Sequence, residues 1–232
     1  MPLLHGIYKL GNVQKAQEWS MAINMDMQFD NYDSRIKYYD LMLERDLDYL
    51  PCFPLPDGYR FVFYRQGDCG SWIEIEKSAK EFTSYEQGMA AWGKYYAANE
   101  DILPKRMVFI ENTDGQKVAT ATAYYDVLGQ DTSGDGWLHW VAVHREYQRR
   151  GLSKPLVSYA LDVMGKLGYT HAKIPTQSTS WVACKVYLDL GFRPIPQNAA
   201  ENRKGWEIVK TLTGHPALAS FRPAAMDEII VK

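Results

Sequence analysis

The sequence predicts an α/β fold built on a mixed sheet of the α+β kind, and three observations carry that expectation. From Tyr59 onward, short apolar and β-branched runs alternate with longer stretches of helical periodicity. Two of the runs, Met107–Ile110 and Val118–Val127, are joined through Asn112-Thr113-Asp114-Gly115, a turn sequence that favours a hairpin. The resulting order (strand, two helices, three strands, helix, strand, helix) mixes both element types along one chain.

Taken in order, residues 1–57 read as an N-terminal extension packed on the core. Its clearest signal is a helix over Asp33–Leu50, where Ile36, Tyr39, Leu43, Leu47 and Leu50 recur at helical spacing. The proline-rich Cys52–Gly58 is a connector, since each proline removes a donor and fixes φ. Residues 58–194 form the main domain. Phe61–Arg65 is a short strand, Trp72–Lys80 and Ser84–Asn99 are helices, and the hairpin follows. Gly136–Val143 is the next strand, after the loop Thr132-Ser133-Gly134-Asp135.

Ser153–Leu167 is a helix with Pro155 in its first turn, Gly168 past its end, and a buried stripe of Leu156, Ala160, Met164 and Leu167. His171–Ile174 is a strand, and Ser180–Leu190 is a helix stopped by Gly191. Residues 195–232 form a C-terminal extension. There Trp206–Val209 fits helix or strand, and Gly214-His215-Pro216 is a break.

Composition narrows the function classes. With 232 residues, 46% hydrophobic and 13% aromatic, the chain can bury a substantial core. A net charge of -2 gives no reason to expect nucleic acid or an anionic membrane as partner. No apolar run approaches the roughly 20 residues needed to cross a bilayer. The first twelve residues are too interrupted for a secretory signal, so a cytoplasmic address is expected. Cys52, Cys69 and Cys184 are far apart and lack paired spacing, which fits neither a disulfide framework nor a zinc site, and no metal is expected.

The most informative stretch is Trp140–Val157. An apolar strand runs into the polar turn Gln148-Arg149-Arg150-Gly151-Leu152-Ser153, and the turn opens directly into a helix. Such a turn can point several backbone N–H groups at one spot, with the positive end of the helix dipole behind them, a combination that suits a pyrophosphate. A side chain at Gly151 would hold a phosphate oxygen away from those amides. Gln148 and Lys154 belong to the same arc. Arg149 and Arg150 flank it, although adjacent side chains diverge and one of them can be merely solvated.

This segment resembles the acyl-CoA-binding motif of the GNAT superfamily of N-acyltransferases, Gln/Arg-x-x-Gly-x-Gly/Ala, read here as Gln148, Gly151 and Ser153. A second stretch, Ser180–Pro194, resembles that superfamily's Asn-x-x-Ala-x-x-x-Tyr-x-x-x-Gly-Phe signature, with Ala183, Tyr187, Gly191 and Phe192 in register and Ser180 in place of asparagine. The surrounding sequence is similar to bacterial-type members. The resemblance spans about residues 59–194. It implies a GNAT-like acyl-CoA N-acyltransferase fold carrying the two extensions, with acetyl-CoA as co-substrate.

The resemblance also implies site residues. Backbone groups of Val141, Ala142 and Val143 would bond the pantetheine arm and polarise the thioester carbonyl, and an N–H aimed at a developing oxyanion is worth about 3 kcal/mol. Arg149, Arg150, Gly151, Leu152, Ser153 and Lys154 would line the phosphates, with Gln148 beside them and Ser180 near the cofactor. Tyr187 would stand near the CoA sulfur. As a phenol it keeps its proton at neutral pH and can meet the departing thiolate, and the same position also suits a tyrosine packing helix against sheet.

The acceptor must attack as a free amine. Making a lysine-like amine neutral at pH 7 costs about 4.6 kcal/mol, from a pKa of about 10.4 and about 1.36 kcal/mol per unit, so a base should be near. His139 has a suitable ordinary pKa and either reaches the central site or lies on the sheet's other face. His144 is expected at the strand's end. Glu111 and Glu76 are further candidates, with carboxylates at such positions expected to be solvated. Trp72, Trp92, Tyr124, Tyr125, Trp137, Trp140 and Trp181 supply core and acceptor-pocket walls.

The expected activity is transfer of an acetyl group to a primary amine, a small molecule or a peptide, by direct attack in a ternary complex. Cys184 lies in a helix where it packs rather than reacts. The alternative is a non-catalytic acyl-CoA-binding or sensing module. A P-loop phosphate enzyme is excluded by the lack of GxxxxGK[ST]. GNAT-like proteins are often dimers, and the terminal extensions could supply a homodimer contact.

Overall fold

The computed structural model describes residues 32–129, 131–195 and 199–231, so residues 1–31 of the expected N-terminal extension lie outside the described residues. Two compact units divide the chain. One comprises residues 42–176 and 186–195 and carries the sheet save for the strand-end residues Asp40, Leu41 and Gln177. The other gathers described residues 32–41, 177–185 and 199–231.

In the sheet-bearing unit the strands are β1 (Asp40–Asp46), β2 (Tyr59–Phe63), β3 (Met107–Asn112), β4 (Lys117–Tyr124), β5 (Gly136–Val143), β6 (His171–Gln177) and β7 (Arg193–Pro194). Their order is β2-β3-β4-β5-β6-β1-β7. β2 to β5 are antiparallel neighbours, β5 and β6 are parallel, and β1 pairs antiparallel with β7. The mixed sheet and the β3–β4 hairpin are as the sequence predicts, and β5 has the expected bounds.

The Asp33–Leu50 helix is not formed. Asp40–Asp46 is a strand, in which Leu41, Met42 and Leu43 are buried in succession. A strand covered on both faces reads as a short continuous apolar run, and here that run prevails over the looser helical spacing around it. Near its end the Arg45 guanidinium donates to the carbonyls of Leu190 and Tyr49.

Helices cover both faces. α1 (Cys69–Ser78) and α2 (Tyr85–Tyr95) lie on one, followed by a 3-10 segment, Ala97–Lys105, that periodicity did not suggest. Ser84 caps α2 by accepting from the Gln87 N–H. Between these helices and the sheet sits an aromatic core of Tyr64, Trp72, Phe82, Trp92, Tyr96, Phe109 and Tyr124. α3 (Ser153–Lys166) buries Leu156, Val157, Ala160, Leu161 and Met164. It packs so closely over the start of β5 that a Cβ at Gly136 would lie 2.5 Å from the Met164 sulfur.

α4 (Trp181–Asp189) follows β6. In the other unit, α5 (Ala199–Thr213) resolves the Trp206–Val209 ambiguity as helix, burying Trp206, Ile208, Val209 and Leu212. The short α6 (Met226–Ile229) follows, and Ile230 forms a bridge with Ile36.

Candidate active site

Two irregularities in β5 shape the site. The first is a bulge. Thr120 pairs with Ala142 and Thr122 with His139, so two steps along β4 match three along β5. The extra residue is absorbed at Trp140, whose φ of 46° is unusual for a bulky side chain.

The second is a parting of parallel strands. The β5–β6 ladder joins Gly136 to Ala172 and Trp137 to Lys173, and among the described residues it stops there while β5 runs on to Val143. The His144 N–H bonds the Val118 carbonyl on the β4 side. By strand alternation Ala142 turns its backbone that way too, and Val141 and Val143 turn theirs toward the side from which β6 has departed. The Val143 carbonyl there accepts from the Gln148 side-chain amide at 3.1 Å, which ties the following turn to the strand end.

In that turn φ is 61° at Arg149 and 77° at Gly151, with Arg150 between them outside the left-handed region. Such alternation turns successive N–H groups toward one side, the geometry of an anion nest. α3 starts immediately after, with Leu152 buried at its N-cap and no side chain capping it. The first N–H groups, from Ser153 and Lys154 on, therefore lack intrahelical partners and face outward with the dipole behind them. A Cβ at Gly151 would find its nearest atom, on Pro56, at 3.8 Å, so the left-handed backbone rather than crowding calls for glycine. These features fit a pyrophosphate.

The neighbouring cations are differently employed. The Arg150 guanidinium folds back onto the Glu146 carbonyl at 2.9 Å and over the Tyr147 ring at 4.7 Å. Lys154 pairs with Asp189 at 3.0 Å. Arg149 is exposed. Ser180 belongs to the other unit, where its buried hydroxyl accepts from the Gln177 amide at 2.9 Å. Tyr187, on α4, is buried with its ring edge-on to Phe192 at 6.0 Å.

His139 lies on the α1/α2 face. Its ladder partner Thr122 accepts a hydrogen bond from the Tyr96 hydroxyl at 3.1 Å, and the imidazole is ringed by Tyr95, Tyr124 and Trp137 at 5.8–6.1 Å. Burial pushes its pKa down to about 4, against a small opposing pull from Asp126, and Nε2 has no hydrogen-bond partner among the described residues. His144 instead caps the turn after β5, accepting from the Glu146 N–H. Glu111 is bonded to Arg60, its partner across the β2–β3 ladder.

Glu76 departs most from expectation. It is buried rather than solvated, and neither carboxyl oxygen has a hydrogen-bond partner among the described residues. Burial pushes its pKa well above the ordinary value, and the nearby Glu81 adds to the shift. A sequence signal existed, because Glu76 follows Trp72 by one helical turn and so shares its buried face.

The family model for the GNAT acetyltransferases matches residues 70–192, more than half of the chain. The chain belongs to the GNAT acetyltransferase family. Among solved structures, a GCN5-related N-acetyltransferase from Sphaerobacter thermophilus superposes with a TM-score of 0.54 at 20% identity, over 71% of this chain and 50% of that one. A GNAT-family acetyltransferase from Colwellia psychrerythraea gives 0.51 at 14% identity, over 71% and 55%. The glucosamine N-acetyltransferase region of a fungal multi-domain GH3 β-N-acetylglucosaminidase gives 0.51 at 13%, over 69% and 20%. At these identities the likeness is one of fold, and the GNAT chain described here spans about half or less of each of those proteins. No curated protein matches. Among the described residues no helix is long and apolar enough to cross a membrane, and no group of three or more His, Cys, Asp or Glu side chains could hold a metal ion.

Proposed function

We propose that this GNAT chain transfers the acetyl group of acetyl-CoA to a primary amine by direct attack in a ternary complex. The observation that carries the reading is the parting of β5 from β6 beside the uncapped N-terminus of α3, which sets free strand backbone next to an anion nest. In this reading the amides from Arg149 to Lys154 hold the pyrophosphate. Gln148 acts indirectly, by fixing the turn to Val143. The backbone of Val141 and Val143 receives the pantetheine arm and the thioester carbonyl.

The chain's own groups then manage protons. Tyr187 donates to the departing thiolate. His139, with a pKa of about 4, is neutral at physiological pH, and its unpartnered Nε2 accepts a hydrogen bond from the incoming amine. So weak a base orients the nucleophile better than it deprotonates an alkylammonium.

Calorimetric titration with acetyl-CoA, paired with thiol release across a pooled amine library, tests this reading. Binding with release is the expected result. Binding without release over the whole library would favour a sensing module, and no binding would defeat the proposal.

A further inference from the structure

Glu76 has a position that the acetyl-transfer reading does not use. Trp72 on α1 meets Trp140 of the β5 bulge at 5.4 Å between ring centroids. Ser78, at the end of the same helix, accepts from the Arg145 N–H just beyond β5 at 3.1 Å. Glu76 lies between these two anchors on the buried face of α1. Between the two anchors the helix runs alongside the segment from Val141 to Val143, the segment expected to hold the thioester, and Glu76 stands on that stretch of the helix.

The surroundings are buried and aromatic. The rings of Phe82, Tyr96 and Trp140 all pack against Trp72, one turn from Glu76. Besides the two Glu76 oxygens, Trp72 Nε1, Thr120 Oγ1 and His139 Nε2 are buried without partners among the described residues. Thr120 and His139 belong to the sheet face that α1 covers, since Tyr96 bonds Thr122 there and Tyr124 joins the same core. A buried carboxylate without a cation is costly, and aromatic faces attract an ammonium, so both features favour the same class of guest.

We propose that Glu76 receives the acceptor's ammonium group and takes its proton, which makes the acceptor a primary alkylamine with an apolar or aromatic stem. The inference rests on the acetyl-transfer reading. Away from bulk solvent two neutral groups are favoured over two charges. One N–H bond breaks and one O–H bond forms on Glu76, leaving a neutral amine. Its nitrogen attacks the thioester carbonyl, the C–N bond forms and the C–S bond breaks. The thiolate takes a proton from Tyr187, the phenolate recovers the second amine proton, and Glu76 releases its own to water as product leaves.

The test compares wild type with Glu76→Gln in thiol release from acetyl-CoA. Hexylamine, phenethylamine and tryptamine serve as basic acceptors, and trifluoroethylamine, whose nitrogen is already neutral at pH 7, serves as the weakly basic one. Acetyl-CoA affinity is followed by calorimetry. The substitution should lower kcat/KM for the basic amines on the order of 100-fold or more. It should cost trifluoroethylamine far less and leave acetyl-CoA affinity unchanged. Equal loss with both kinds of amine overturns the assignment, because a merely structural carboxyl would affect them alike. Wild-type protein that binds acetyl-CoA but turns over none of the basic amines overturns it as well. Failure to bind acetyl-CoA would instead defeat the reading beneath it.

Discussion

Trp137 and Lys173 are the last ladder partners between β5 and β6, and both bond one carboxylate: Asp131 Oδ2 accepts from Trp137 Nε1 at 2.9 Å and from Lys173 Nζ at 2.7 Å. Lys173 also reaches Asp135 at 2.9 Å. Burial pushes the Asp131 carboxyl up, but hydrogen bonds from Lys173, Ser133 and Trp137 outweigh it and hold the group well below the usual carboxylate range. The clamp thus pins the strands at the place where they begin to diverge. Asp131→Ala removes three donors' common acceptor and should destabilise the fold by about 1–3 kcal/mol. It should also weaken acetyl-CoA binding by letting the parting widen. Urea unfolding and calorimetry check the two effects, and unchanged affinity would separate the clamp from the site.

Gly151 carries the anion nest through its backbone. Gly151→Ala has room for the methyl group but must hold φ near 77°, so it should cost about 1–2 kcal/mol of stability. Gly151→Glu adds a negative charge at the proposed pyrophosphate site, and acetyl-CoA binding should fall below detection while the circular dichroism spectrum stays native. Retained binding in the glutamate variant would move the phosphates elsewhere.

What the sequence disclosed was local. Alternation and turn residues defined the β3–β4 hairpin and β5, and Pro155 with Gly168 bracketed α3 to within a residue. The importance of Gly151 was legible from its place in the turn, but not its reason, which is a φ of 77° rather than the room a side chain would take. Features fixed by distant partners were not legible. Asp40–Asp46 becomes a strand because β6 and β7 flank it, and Lys154 is held in an ion pair with Asp189. The bulge at Trp140 follows from its register with Thr120 and Thr122, which no local pattern encodes.

His139 should make the fold acid-sensitive. Its pKa falls from 6.5 to about 4 on folding, so the unfolded chain binds a proton first as pH drops. Stability from this group is intact above pH 6.5 and is lost progressively as pH falls from 6.5 toward 4. The loss reaches at most about 3 kcal/mol, from a gap of about 2.5 units at about 1.36 kcal/mol each. His139→Asn, which cannot titrate there, should flatten that limb when urea unfolding is compared at pH 7.5 and pH 4.5. An unchanged slope would mean that the imidazole is not desolvated.

Tyr187 separates a chemical role from a packing role by its hydroxyl alone. Tyr187→Phe removes only the hydroxyl and keeps the buried ring with its edge-on contact to Phe192. If the phenol protonates the leaving thiolate, kcat should fall on the order of 100-fold while KM for acetyl-CoA stays nearly constant, because the interaction exists only in the transition state. The loss should shrink with an acyl donor whose thiol is more acidic, since a thiolate that leaves readily needs less help from an acid. Viscosity-independent rates would establish that chemistry limits turnover in these assays. An unaltered kcat under that condition, with both donors, would return Tyr187 to the hydrophobic core.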